Sequence, residues 1–297
     1  MTHRKAVALM ILVTLLWSTA GVVTRHLDSA RSFEVTFWRS AFNAVALSVA
    51  LSAMRGAALW RGIARAPWPV WASGLCWSVM YTAFMVAITL TSVANVLVTM
   101  SIGPLLTALL SRIVLGHRLA TRTWAAIGVA GVGIAWMFGR EAQISTPAQL
   151  AGIAVALCVP VAAAINWTLL QHLHHGAREE SRDMTSAVLI GALISAAATL
   201  PLALPWQASA HDLALLGLLG VFQLALPCLL VVRLTKVLPG PEIAMLGLLE
   251  VLLGVVWAWL GAGERPSQPT LIGGALVIGA LVANQAFALR SPGVTVA

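Results

Sequence analysis

The sequence predicts an all-α integral membrane protein: ten transmembrane helices arranged as two inverted five-helix repeats around a central cavity. Three observations predict it. First, of 297 residues 60% are hydrophobic and only 9% are charged, whereas a soluble domain carries about 25% charged residues and solvates its surface with them. Second, apolar runs near the length of about 20 residues that crosses a hydrocarbon core recur along the chain, separated by short basic segments. Third, a long motif returns. Residues 94–124 read as an apolar helix with Pro104 at its middle, a basic turn, then a second apolar helix. The pattern comes back from Pro241 onward, with Arg118 and Arg265 separated by 147 residues, as are Thr123 and Thr270. At that offset His117 falls opposite Glu264 and Pro104 opposite Val251. A repeat half the chain long is a statement about architecture.

The spans follow in order at roughly 6–24, 33–53, 70–90, 93–115, 121–138, 149–171, 184–205, 212–232, 240–262 and 267–289. Inside lipid every backbone polar group must be paired within the segment, so each is a helix. The first follows His3-Arg4-Lys5 but lacks a small-residue cleavage site, so it reads as an uncleaved helix rather than a signal peptide. The second carries Arg39 in its outer third. The third opens beside Trp68 and Trp71, which with Trp60 and Trp124 form one interfacial belt; Trp136 and Trp206 mark the other. The fourth, sixth and eighth hold Pro104, Pro160 and Pro227 near their middles, where proline removes a backbone hydrogen bond and supplies a bend or hinge. The fifth and tenth are rich in glycine. The ninth carries Glu250 near its centre, where an ionised acid costs about 2.5–3.5 kcal/mol on the insertion scale for charged residues and therefore faces a cavity or a partner. Glu242, near the start of the same helix, reads as an acid favoured by the helix dipole.

Lysine and arginine orient the chain. With the N-terminus in the cytoplasm, thirteen of them fall on the inner side, and only Arg25, Arg31, Arg140 and Arg265 fall outside. The positive-inside rule prefers this arrangement, with both termini cytoplasmic. The first repeat is then 1–138, the linker 139–148 and the second repeat 149–297. Five spans per repeat is an odd number, so the second copy enters the membrane upside down. Such folds place a solute site near the midplane and alternate its access.

The net charge of +8 does not point to nucleic acid, because the charges lie between spans. Cys76, Cys158 and Cys228 sit inside apolar runs with no metal spacing and read as packing residues. His172, His174 and His175, beside Glu179, Glu180 and Asp183, read as a solvated loop; no metal is expected. A membrane-embedded enzyme acting on lipid or headgroup at that loop is the alternative from another class. No nucleotide-binding glycine loop, no Ser-His-Asp arrangement and no zinc helix is present, so neither a cofactor nor ATP-driven chemistry is expected. Polar and aromatic residues at membrane depth form the candidate cavity lining: Trp17, Trp77, Tyr81, Asn95, Met100, Asn166 and Trp167. Arg39 either snorkels to the outer interface or serves as a carboxylate clamp for substrate or a partner for Glu250. Asn95, Asn166, Gln223 and Asn284 could equally serve as hydrogen-bonding glue between helices.

The half-motif also carries a resemblance. A proline or Glu250-Val251 at mid-helix, then Leu260-Gly261-Ala262-Gly263-Glu264-Arg265 or its variant Leu115-Gly116-His117-Arg118, then a glycine-rich span, resembles the EamA-type drug/metabolite transporters over residues 6–289. His117 stands where that family usually has Glu, and Val251 where it usually has Pro. The resemblance implies a basket of ten helices around a cavity, with no bound cofactor, in the bacterial cytoplasmic membrane. Within the superfamily it is similar to the amino-acid exporters. It implies a small-molecule substrate, an amino acid, aromatic or otherwise neutral, with proton coupling through Glu250. Another metabolite or a drug is the alternative solute.

Overall fold

In the computed structural model, residues 1–30, 32–91, 93–116, 119–139, 146–175, 184–262 and 267–290 are described. The His117-Arg118 turn, its counterpart Glu264-Arg265, Arg31, Arg140, and the Arg178–Asp183 loop lie outside them. Among the described residues there is no strand. In chain order the helices are α1 (His3–Trp17), α2 (Thr19–Thr24), α3 (Ser32–Arg55), α4 (Ala58–Ala64), α5 (Trp68–Leu90), α6 (Val93–Met100), α7 (Gly103–Leu115), α8 (Thr121–Phe138), α9 (Pro147–His175), α10 (Thr185–Ala203), α11 (Ala210–Leu218), α12 (Leu226–Leu234), α13 (Gly240–Gly247), α14 (Leu249–Ala262) and α15 (Gln268–Arg290). A π-helical turn, Leu219–Ala225, joins α11 to α12.

Each span read from the sequence falls on a helix or on consecutive helices. Length and apolarity alone qualify seven segments as membrane-crossing, or up to eight if α3 and α4, bent by 113°, count as one. This is fewer than the ten expected. The segment at Gln268–Asn284 ranks only as a shorter apolar helix, and α8 opens on the polar Thr121-Arg122-Thr123 and is diluted by glycine. Helix α4 was not anticipated. Gly56 at φ 59° ends α3 in a left-handed turn that a side chain rarely adopts. The chain then turns sharply, and buried Leu59 anchors the short helix.

The packing exchanges the two halves. With the spans numbered in order, α5 of span 3 packs on α9 of span 6, and α12 of span 8 packs on α1 of span 1. Likewise α5 packs on α10, and the π turn on α3; α7 packs on α9, and α14 on α1 and α2. The remaining large contacts, α3 on α10, α7 on α13 and α8 on α15, each join a span to its own counterpart. Close approach through glycine makes these contacts tight. A Cβ on Gly191 would collide with the Trp77 Cβ, and one on Gly220 would lie 2.6 Å from the Phe42 Cβ. Without a hydrophobic drive between helices in lipid, such backbone proximity is what holds them. Outward faces carry exposed aliphatics such as Val49, Ile113 and Val282, as lipid contact requires.

Polar ties mark the two ends of the bundle. At one end His3 meets Glu242 at 3.0 Å, Arg55 donates to Thr185 at 2.6 Å, Thr123 donates to the Asn284 carbonyl at 3.3 Å, and Gln171 donates to the Leu238 carbonyl. At the other end two buried carboxylates cross over. Asp212, in the first turn of α11, accepts from the backbone N–H of Asp28 at 2.7 Å and of Ser29 and Ala30 at 3.1 Å. Glu34, in the first turn of α3, accepts from the N–H of Gln207 at 2.9 Å and of Ala208 at 2.8 Å. Each half thus supplies the acid that satisfies the other half's loop. Hydrogen bonds to a charged group contribute about 1.5–3 kcal/mol each.

Gly191→Ala should lower the thermal unfolding temperature in detergent by an amount corresponding to about 1–3 kcal/mol, the usual overpacking cost. Gly128→Ala, on an exposed face of α8 with nothing within 4 Å of its new Cβ, should change it little. Equal effects at the two sites would contradict the α5–α10 contact described above.

Candidate functional site

The helices break at four places, and all four face one cavity. At the end of α1, Thr14, Ser18 and Thr19 turn their hydroxyls back onto the carbonyls of Ile11, Leu15 and Leu16, a pattern that loosens and bends helices. Between α6 and α7 the chain passes through Ser101 and Ile102 before Gly103-Pro104 restarts the helix. The π turn precedes Pro227, in the first turn of α12. Between α13 and α14 the break falls at Leu248, 147 residues after Ser101. Spans 4 and 9 are therefore interrupted at equivalent positions. Pro104 and Pro227 open the helix after a break, where the missing N–H costs nothing. Pro160 lies inside α9, which continues through it.

Around these breaks lies a cavity of about 540 Å³, within the range of small-molecule sites. Of the residues singled out from the sequence, Trp17, Arg39, Trp77, Tyr81, Met100, Trp167 and Glu250 line it, with Pro104 and Pro160. Asn95 and Asn166 do not. The Asn95 amide donates to Thr91 at 2.7 Å, and the Asn166 carbonyl accepts from Ser73 at 2.6 Å, so the latter joins α5 to α9 as interhelical glue. Pro227 is buried outside the lining. Gln223 lines the cavity and donates to the Trp17 carbonyl at 3.3 Å.

The apolar wall is aromatic. Trp77 stacks on Tyr81 with ring centroids 5.7 Å apart and meets Trp167 edge-on at 5.5 Å. The charged groups are few. Arg39 is 3% exposed, donates one N–H to the Tyr81 carbonyl at 3.1 Å, and leaves its Nε unpartnered. Glu250 sits in the first turn of α14 and touches the cavity from a half-buried position. No ion pair joins it to Arg39 among the described residues.

Several residues here escaped sequence reading. Asn43 is fully buried one turn after Arg39, with both amide atoms unpartnered, beside the Tyr81 hydroxyl. The spacing of four on α3 was the available signal. Cys228, read as packing, lines the cavity beside Tyr81. Trp257 donates to the Ser18 hydroxyl at 3.0 Å and braces the first break. Elsewhere, His172 is exposed at the end of α9; the side chains of His174 and His175 lie outside the description. Asp28, His211 and Asp212 form the one cluster of candidate metal ligands among the described residues, but Asp212 already spends both oxygens on backbone N–H groups.

The cavity lining extends to Arg25, Phe138, Ser267 and Thr270, at the end of the crossed carboxylates. At the other end Gly240 closes it: a Cβ there would lie 3.1–3.2 Å from Thr107, Trp167 and Gln171.

Comparison with known proteins adds the following. The model of the EamA-like transporter family matches twice, over residues 4–139 and 150–284. No curated protein matches. Among 27 solved chains that match is a crystal structure of a protein 19% identical, with a TM-score of 0.77, covering 97% of this chain and 99% of its own; at that identity the likeness is one of fold.

With Cys76, Cys158 and Cys228 replaced, a cysteine at Gly254 or Thr270 should react with a membrane-impermeant thiol reagent added on the Arg25 side. A cysteine at Gly240 should react much more slowly. Equal rates at all three positions would contradict a cavity open at one end.

Proposed function

Because the chain belongs to the EamA-like transporter family, we propose that this multi-pass membrane protein is a secondary transporter that exports amino acids, aromatic and other neutral ones, across the bacterial cytoplasmic membrane by alternating access. The observation that carries the reading is the aromatic-walled cavity at the junction of the two halves, whose lining extends to the Arg25 end and stops short of the close packing at Gly240. In export the solute is loaded when the seal has moved to the Arg25 end, and return of the seal to the Gly240 end releases it on the Arg25 side.

The crossed carboxylates support an inverted arrangement of the halves, read as 1–138 and 149–297. The loop after span 1 meets the loop after span 7, which is the loop after the second span of the second half. Two loops of unlike order share a face only if one copy is turned over. The ties at the opposite end, from His3 to Glu242 and from Thr123 to Asn284, agree with both termini on the inner side. The cavity end bearing Arg25 is then the outer one. The equivalent breaks at Ser101 and Leu248 are the joints about which halves of spans 4 and 9 can swing. The lipid bilayer is the other partner, and no step needs a cofactor. Proton coupling through Glu250 is the reading supported by an acid that lines the cavity together with Arg39 and Cys228.

Purified protein in liposomes should move labelled phenylalanine, threonine or methionine. No flux of any amino acid, with flux of a different metabolite or drug from a mixed panel, would establish the other solute class instead. Glu250→Gln should abolish the dependence of flux on a pH gradient while leaving solute binding measurable. A wild-type pH profile in that variant would remove Glu250 from coupling.

A further inference from the structure

Several buried polar atoms at the cavity have no hydrogen-bond partner. Arg39 and Tyr81 line it, with Asn43 beside Tyr81 outside the lining, and the donors Arg39 Nε, the Asn43 amide and the Tyr81 hydroxyl are all buried without one. Arg39 is 3%, Asn43 0% and Tyr81 4% exposed. They sit together: Arg39 already donates to the Tyr81 backbone, and Asn43 lies beside the Tyr81 ring hydroxyl. Two acceptors line the same cavity: Glu250, which makes no hydrogen bond among the described residues, and Gln223 Oε1, which is buried without a partner. Burying unsatisfied polar groups costs about 1–3 kcal/mol each, more when charged. A fold keeps them only where something fills the gap.

We propose that Arg39, Asn43 and Tyr81 form a subsite for the carboxylate of the solute, and that Glu250 and Gln223, which line the same cavity, take a cationic group of the same molecule. This rests on the transport reading above and deepens it by stating which chemical groups the solute must carry. A guanidinium offers donors in a planar fork that suits a carboxylate, and Asn43 and Tyr81 add neutral donors. One buried cation with a carboxylate nearby matches a single negative charge. A phosphate dianion would leave an excess of negative charge facing Glu250. The aromatic wall of Trp77 and Trp167 then holds the remainder of the solute, so that specificity for the side chain is loose and specificity for the two charges is tight.

The test uses the full-length protein in detergent, titrated by calorimetry with three matched probes: phenylalanine, phenethylamine, which lacks the carboxylate, and 3-phenylpropionate, which lacks the ammonium. Phenylalanine should bind about ten- to a hundredfold more tightly than either analogue, the range for hydrogen bonds to charged groups. Tyr81→Phe, which removes one oxygen, should weaken phenylalanine and 3-phenylpropionate but not phenethylamine. Glu250→Gln should weaken phenylalanine and phenethylamine but not 3-phenylpropionate. Equal affinities of the three for the wild type, or variants that weaken all three alike, would overturn the subsite; so would flux of other solutes with no binding of any probe. The wild-type comparison stands even if a variant fails to fold. Two-point binding without flux in liposomes would leave the subsite standing and remove the transport reading. Flux without discrimination would do the reverse, and neither binding nor flux would overturn both.

Discussion

In hydrocarbon there is no water to receive an unpaired backbone N–H or C=O, and everything else in this molecule follows from that constraint. It makes the chain helical. It also decides where the helices can stop being helical. The irregular turns at Ser18, at Ser101-Ile102, through Leu219–Ala225 and at Leu248 all open onto the same void. At each the regular helical ladder is interrupted, which backbone lining a cavity tolerates and backbone facing lipid does not. The cavity is thus the condition for the breaks, and the breaks supply its shape. Trp257 bracing Ser18 and Gln223 reaching the Trp17 carbonyl show side chains recovering part of what the broken ladder gave up.

The second organising element is exchange between halves. Carboxylates are costly inside a membrane protein, yet Glu34 and Asp212 are almost completely buried. They are tolerated because each accepts several N–H bonds from a loop belonging to the other half. With the glycine contacts at Gly191 and Gly220, which join equivalent pairs of helices, they make the two copies one body. The cavity lies along the junction, where Arg39 comes from the first half and Glu250 from the second. Opposite charges on opposite copies are a simple way to give a pseudo-symmetric void a polar direction.

Much of this was legible in the residues. The scarcity of charge and the apolar runs marked the membrane, and the 147-residue offset marked the duplication. The deep aromatics and Arg39 and Glu250 stood out because such side chains are expensive at that depth. What was not legible depended on distance or on backbone detail. The break at Leu248 has no proline, and only its equivalence to Ser101 betrays it. Asn95 and Asn166 look like Asn43 in the sequence, but the first two find hydroxyl partners and Asn43 does not. The role of Glu34 could not be read at all, because its donors lie 173 residues away. Helix α4 was hidden in a stretch too short and too basic to register as a span.

That last separation has a consequence for how the molecule is made. When α3 leaves the ribosome, the N–H groups destined for Glu34 do not yet exist; at about 5–20 residues per second they appear roughly 10–35 s later. During that interval the first copy stands in the membrane with an exposed acid and an unclosed loop, unable to finish. Completion is therefore a property of the whole translation product: the acid of the first copy meets its donors only once the second copy has been made.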